Sequence, residues 1–376
     1  MFTTHQQLKK YKFEPYKPCP CESGKNYKFC CYTKGKEKNI DTTKYNSKRL
    51  YFESHKHFKD TDFKMCLGFD KEECDYGFIE AHSLQNNGVL NQIATDNHVY
   101  YLDMNFDERT TLPKLEFKLK GKNQASTFYG FCKHHDEKYF SKIEDVDYQN
   151  TEEQNFWFAF RAHCFEAHRK HRLKKSYAQL FKKYPFATRD LQILGMYKNN
   201  ELNLKDVDIE YRRFKNVYES KNFDAIESFV KVLPFKVGFT ATTAVAVNVD
   251  LNGNKTIDIY DYDEKLFVPS VYISIIPKDD STLIIVSRFK EDSCYEGFMK
   301  ALKSNTDDNL LFSYLSFCLA EFSENIYFSP QLIDSISEAE KNIISTAFMG
   351  IISPTPELRM KNMLSTFRLN LFNYTI

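Results

Sequence analysis

No run of apolar residues in this 376-residue chain approaches the length needed to cross a bilayer, and its first ten residues, Met-Phe-Thr-Thr-His-Gln-Gln-Leu-Lys-Lys, hold no continuous apolar stretch. Neither a secretory signal nor a membrane anchor is expected to begin there, and the cytoplasm is the expected compartment. Also missing are a Gly-rich phosphate loop, a nucleophile elbow and a Walker sequence. The last 205 residues hold no histidine and two cysteines, Cys294 and Cys318, whereas all ten histidines lie at or before His171. Metal or imidazole chemistry therefore belongs to the N-terminal half.

Net charge is nearly absent as well, at +1, but the balance hides an asymmetry. Residues 1–50 carry twelve Lys or Arg against four Asp or Glu, a surplus of eight, which leaves the remainder seven charges negative. Such an arm suits nucleic acid or an acidic partner, and equally a solvated lysine face. With 42% hydrophobic residues the chain can fill the cores of two ordinary domains and a small module. We expect residues 1–50 to be a basic arm around a cysteine module, 51–185 a Cys/His-rich central domain, and 186–376 an α+β domain.

Local signals place the elements. Thr151 and Gln154 read as a capping box opening a long helix, with Glu152 and Glu153 in its first turn and Trp157, Phe160, Cys164 and Ala167 at helical spacing. Its far end is basic, through Arg169, Lys170, Arg172, Lys174 and Lys175, which suits a helix C-terminus or a nucleic-acid-facing surface. A charged helical segment is expected around 204–230. Strands are expected at Lys236–Val249, Lys255–Tyr262, Val268–Ile276 and Thr282–Arg288, the first two joined by Asn252-Gly253, a hairpin signal. Asp250, Asn252 and Asn254 superficially match a calcium loop, but Asp261 stands where such a loop ends in Glu and the glycine is displaced, so a plain turn is expected. Antiparallel strands followed by helices make the expected fold class α+β.

The densest chemistry is Pro18-Cys19-Pro20-Cys21-Glu22-Ser23-Gly24-Lys25-Asn26-Tyr27-Lys28-Phe29-Cys30-Cys31. Four thiolates gathered by one tight turn can complete a tetrahedral shell, and Gly24 can supply the left-handed backbone such a turn needs. So short a loop buries no core of its own, so a metal ion must hold it. In a reducing compartment clustered thiols are metal ligands rather than disulfides. The segment resembles the SEC-C motif, a small zinc module at the end of the bacterial preprotein translocase ATPase and in many other bacterial proteins. Ser23-Gly24-Lys25, Tyr27 and the double cysteine match that motif, while Glu22 stands where the family usually has Gly. The resemblance implies zinc on Cys19, Cys21, Cys30 and Cys31, a structural or partner-binding role, and a protein partner docked through the module.

A second set comprises Cys66 and Cys74, then Glu80-Ala81-His82, then Cys132-Lys133-His134-His135-Asp136. Cys132-x2-His135 has the spacing of half a zinc site, and Cys66 and Cys74 can supply the other half; without metal the four are ordinary core residues. The order resembles HNH-type treble-clef nucleases, in which a cysteine pair precedes a strand bearing the catalytic His and a second pair opens a helix. That resemblance implies His82 as general base and Asp136 as holder of a catalytic Mg or Mn ion, with nucleic acid as substrate, while a role in defence against foreign DNA is what small SEC-C-bearing bacterial proteins suggest by analogy. The first pair is spaced by seven residues rather than two, the stretch between His82 and Cys132 is long, and Asp136 stands where a metal-binding His is usual. Cys164 and His168, one helical turn apart, are expected to be packing and surface residues. The two expectations are thus a zinc-stabilised docking protein and a metal-dependent nuclease.

Overall fold

The computed structural model describes residues 12–36, 47–106, 113–259, 261, 263–349 and 369–376. Much of the expected basic arm, residues 1–11 and 37–46, lies outside them. Apart from short helical turns, the elements in chain order are helix α1 (Ser47–Asp60) and strands β1 (Phe78–His82), β2 (His98–Phe106), β3 (Pro113–Gly121) and β4 (Thr127–Cys132). Helices α2 (Lys133–Glu144), α3 (Glu152–Lys183) and α4 (Leu191–Ser220) follow, then strands β5 (Ile226–Leu233), β6 (Phe239–Val245), β7 (Val271–Lys278) and β8 (Ser281–Phe289). Helices α5 (Glu296–Ser304) and α6 (Asp308–Phe322), strand β9 (Ile326–Phe328) and helices α7 (Pro330–Ser335) and α8 (Glu338–Phe348) complete the order.

The fold class is α+β. Seven strands make one antiparallel sheet in the order β3-β2-β9-β6-β7-β8-β5, and β1 pairs with β4 in a separate ribbon. Strands β7 and β8 are apolar at successive positions because helices cover both faces of the sheet. Ile273, Ile275, Ile284 and Val286 meet Phe298, Leu315 and Phe317 of α5 and α6 on one face. Tyr272 and Phe289 meet Phe160 of α3 and Phe214 of α4 on the other. Strands β2 and β3, from the long stretch between His82 and Cys132, form the edge of the same sheet that the C-terminal strands build.

Thr151 caps α3, its hydroxyl accepting from Gln154 N at 3.2 Å. The expected box is only half formed, since the Gln154 amide turns to Gln149 N (2.8 Å) and the Asp147 carbonyl (3.0 Å) rather than to Thr151 N. Trp157, Phe160, Cys164 and Ala167 are all buried. The basic end of α3 is used internally: Arg169 pairs with Glu166 and Glu324, Arg172 donates to the carbonyls of Lys59 and Thr61, and Lys175 holds Glu22 at 2.7 Å. Arg169, Arg172 and Lys175 are therefore struts, while Lys174 remains exposed.

Two expected elements are corrected. The helix expected around 204–230 starts earlier and ends at Ser220, where Lys221 turns left-handed at φ 57°; Ile226–Leu233 is a strand. The described residues of the expected strand Lys255–Tyr262 form no strand. Asp250 Oδ1 closes the Asn252-Gly253 turn by accepting from Asn252 N (2.9 Å) and Asn254 N (2.8 Å), and the return chain pairs through the bridge Val249–Lys255 and the bond from Thr256 N to the Asn248 carbonyl (3.0 Å) without extending into a strand. The edge of β6 that this segment would have taken pairs with β9 instead.

Candidate metal centres

The first cysteine set is shaped by short backbone links. Cys19 N donates to the Lys25 carbonyl (2.8 Å), Glu22 N to Cys19 (2.9 Å), and Cys30 N to Tyr27 (3.1 Å). Gly24 takes φ 76° and Glu22 φ 56°. Glu22 is thus held in a backbone region that favours glycine. The four side chains are 4, 2, 2 and 1% exposed. Cys21 Sγ lies 3.4 Å from Cys19 Sγ and 3.5 Å from Cys30 Sγ, and all four sulfurs lie within 4.8 Å of one another. These gaps are too long for disulfides, and a tetrahedron of sulfurs about 2.3 Å from a central ion has edges of about 3.8 Å.

Burial raises the Cys19 and Cys31 thiols. Burial also acts to raise Cys21, but hydrogen bonding with Ser23 and the neighbouring thiols outweighs it and brings Cys21 to about 7. Ser23 Oγ, 3.1 Å from Cys30 Sγ, is a supporting contact that spacing alone did not expose. The module is also fastened to the helical body. Cys31 Sγ lies 3.5 Å from the Phe181 carbonyl, and Phe13 and Tyr27 pack in one cluster with Tyr177, Phe181 and Tyr197.

Cys66, Cys74, Cys132 and His135 form the second set, their donor atoms likewise within 4.8 Å of one another. Cys66 Sγ is 3.9 Å from Cys132 Sγ and 3.4 Å from His135 Nδ1, and Cys132 Sγ is 3.1 Å from that nitrogen. Cys66 and Cys74 come from the loop before β1, Cys132 is the last residue of β4 and the N-cap of α2, and His135 lies in the first turn of α2. Burial pushes the Cys132 thiol up to about 12 and lowers His135. Gly68 is the close-packing residue: a Cβ there would lie 2.4 Å from His135 Cγ. Both sets are geometrically compatible with a metal ion such as zinc, with four protein donors each and no position left for a reacting ligand.

His82 ends β1, opposite Thr127 of β4, and Asp136 follows His135 on α2. Both feel the charges of the ion-paired Arg161 and Glu144. Burial, then the Arg161 cation, lowers His82, so its ring is neutral at pH 7. Burial raises the Asp136 carboxyl to about 6 against the opposing pull of Arg161. His82 Nε2 and Asp136 Oδ1 are both inaccessible to solvent and without a hydrogen-bond partner. Neither residue belongs to the two donor sets, and neither lines the cavities of about 540 and 200 Å³ beside α4.

Cys164 and His168 are packing residues. Cys164 is fully buried, and His168 Nε2 lies 3.0 Å from the Phe63 carbonyl with Phe63 and Phe128 against its ring. Among the described residues no helix is long and apolar enough to cross a membrane. No protein-family model, curated protein or solved structure matches the chain.

Proposed function

We propose that the chain is a cytoplasmic zinc-binding protein whose two metal shells hold a scaffold that docks a partner, and that the partner is a nucleic acid. The observation that carries this reading is that each set supplies four donors from the protein itself, all buried in the first set and three of the four in the second, where Cys66 is half-buried. Thiolate and imidazole donors at this spacing suit Zn²⁺, and a shell with no open position supports shape rather than reaction. The ions would fix the backbone of two segments too short to hold themselves, so that the side chains they carry outward are presented rigidly. Elemental analysis tests this. Two zinc equivalents per chain are expected, and treatment with a chelator should abolish nucleic-acid binding by the intact protein; a metal-free chain that binds unchanged would defeat it.

A second reading, a metal-dependent nuclease, is favoured by one observation: His82 Nε2 and Asp136 Oδ1 are unpartnered on two arms of the second set, beside one Arg–Glu pair. In that reading the neutral His82 ring accepts a proton from water and Asp136 helps hold a magnesium or manganese ion. The burial of those two atoms places it second, because a general base must reach the water it activates through the atom that accepts the proton.

A further inference from the structure

The four-cysteine module carries two large aromatic rings into solvent side by side. Tyr16 is 64% exposed and Phe29 63%. Their centroids are 6.4 Å apart with ring planes at 58°. Lys28 Nζ stands 5.0 Å from the Tyr16 centroid and 5.8 Å from that of Phe29, and donates to Tyr16 Oη at 2.9 Å. On the same module Tyr32, 37% exposed, has Lys36 Nζ 4.1 Å and the Arg189 guanidinium 5.0 Å from its ring centroid. A small module that buries Tyr27 while presenting Phe29 is not short of a core to hide in, since Tyr27 packs against Tyr177, Phe181 and Tyr197.

The rings stand on a fixed base. Lys28 N donates to the Pro15 carbonyl (2.8 Å) and Tyr27 N to Lys17 (2.9 Å), and Pro18 bridges to Asn26, so the Tyr16 and Phe29 segments run against each other beside the cysteine shell. The surface around them is cationic. Lys12, Lys17, Lys25, Lys28, Lys34 and Lys36 are exposed, against Glu14 and Glu22, and Glu22 is already held by Lys175. Four thiolates with one divalent ion would carry two negative charges, but buried beneath that surface, and the balance stays positive.

We propose that Tyr16, Phe29 and Tyr32 are a stacking platform for the bases of a single-stranded nucleic acid, with Lys28, Lys36 and their neighbours taking its phosphates. This inference rests on the nucleic-acid reading given above and names its surface and strand state. Every base has a flat π-face, so exposed rings bind unpaired bases irrespective of sequence, whereas a duplex keeps those faces stacked inside. Lysines resting over rings are poised for this exchange, because a phosphate can draw the ammonium aside and free the ring for a base. An acidic peptide would satisfy the lysines but leave the rings with nothing flat to meet.

The test is fluorescence anisotropy on the full-length, zinc-loaded chain with labelled 20-nucleotide oligothymidylate, a mixed-sequence 20-base-pair duplex, and poly-L-glutamate as competitor. Tighter binding to oligothymidylate than to duplex is expected. Phe29→Leu, which keeps apolar bulk but no flat face, and Tyr16→Ala should each weaken it about tenfold, with the salt dependence unchanged. Phe29→Trp should restore it. Lys28→Ala should instead shrink the slope of log affinity against log salt by about 0.7. All of these positions are exposed, and unchanged zinc content and circular dichroism will show that the variants fold. Equal binding to duplex, indifference to the ring variants, or competition by poly-L-glutamate equal to that of unlabelled oligothymidylate would overturn the platform while leaving nucleic-acid docking standing. Failure to bind either polymer would overturn both.

Discussion

The hydroxyls of Tyr27 and Thr188 lie 3.1 Å apart, joining the four-cysteine module to the turn that follows α3. Thr188 Oγ1 spends its own proton on the Pro185 carbonyl at 2.7 Å, so Tyr27 is the donor. The module is thereby part of the helical body rather than a tethered appendage, and Tyr27→Phe isolates one hydrogen bond of that attachment. It should lower unfolding free energy by about 1 kcal/mol, read from urea denaturation, and leave metal content unchanged. No loss of stability would mean that the contact does not tie the module down.

The two metal sets should be separable. Cys19→Ser with Cys21→Ser should remove about one equivalent of zinc, and Cys66→Ser with Cys132→Ser about one other, because the two sets share no donor. Elemental analysis after desalting gives the answer, and a full complement in either double variant would sink the corresponding assignment.

Gly68 offers a test that touches no ligand. Adding a Cβ places it 2.4 Å from His135 Cγ and 2.7 Å from Nδ1, so the ring must move from its place beside Cys66 and Cys132. Gly68→Ala should weaken metal binding at the second set by about tenfold or more and leave the first set intact. Competition with a chromophoric chelator measures both; equal retention would show that the ring is free to shift.

His168 sets a pH dependence. Burial lowers it from 6.5 to about 4. The unfolded chain therefore binds a proton between pH 6.5 and 4 that the folded chain does not, and stability falls as pH falls through that window. The loss from this residue is up to about 3 kcal/mol. His168→Gln should flatten the slope of stability against pH between 6.5 and 4 relative to the parent, measured under identical metal loading; identical slopes would remove His168 from the acid response.

If magnesium- or manganese-dependent cleavage of nucleic acid is found, His82→Ala should reduce it by about 10²–10⁴-fold with zinc content and folding unchanged. A variant that cleaves at the parental rate would exclude His82 as the base.

Helix and turn chemistry were legible where a side chain acts locally. Thr151 announces α3 because its hydroxyl caps the third residue on, and Asp250 with Gly253 announces its turn because carboxylate and backbone meet within four residues. Strands were less legible. Ile226–Leu233 carries Glu227 and Lys231 on the sheet's outer strand, where charge is tolerated at an edge, and so read as the tail of a helix. Ile326–Phe328 is too short for any alternation to show. The candidate sites divide the same way. The first cysteine set follows from spacing because a few tight local turns hold it, and Cys132-x2-His135 does so because both residues open one helix, whereas the meeting of that pair with Cys66 and Cys74, and the Arg161–Glu144 pair joining α2 to α3, depend on packing that no spacing records. The exposure of Tyr16 and Phe29 likewise depends on which side of the module faces the helices.

The three residues Ile326–Phe328 have a temporal consequence. They are the seam of the large sheet, pairing Phe328 with Tyr100 of β2 on one side and with Phe239 of β6 on the other. As the chain leaves the ribosome, the β2–β3 hairpin and the β5–β8 group are complete long before the strand that joins them exists. Each must wait with an open edge, the feature most prone to pairing with another molecule. A product truncated before Ile326 keeps both edges indefinitely, so late-stage premature termination should yield the most aggregation-prone form of this protein and the one most in need of a chaperone.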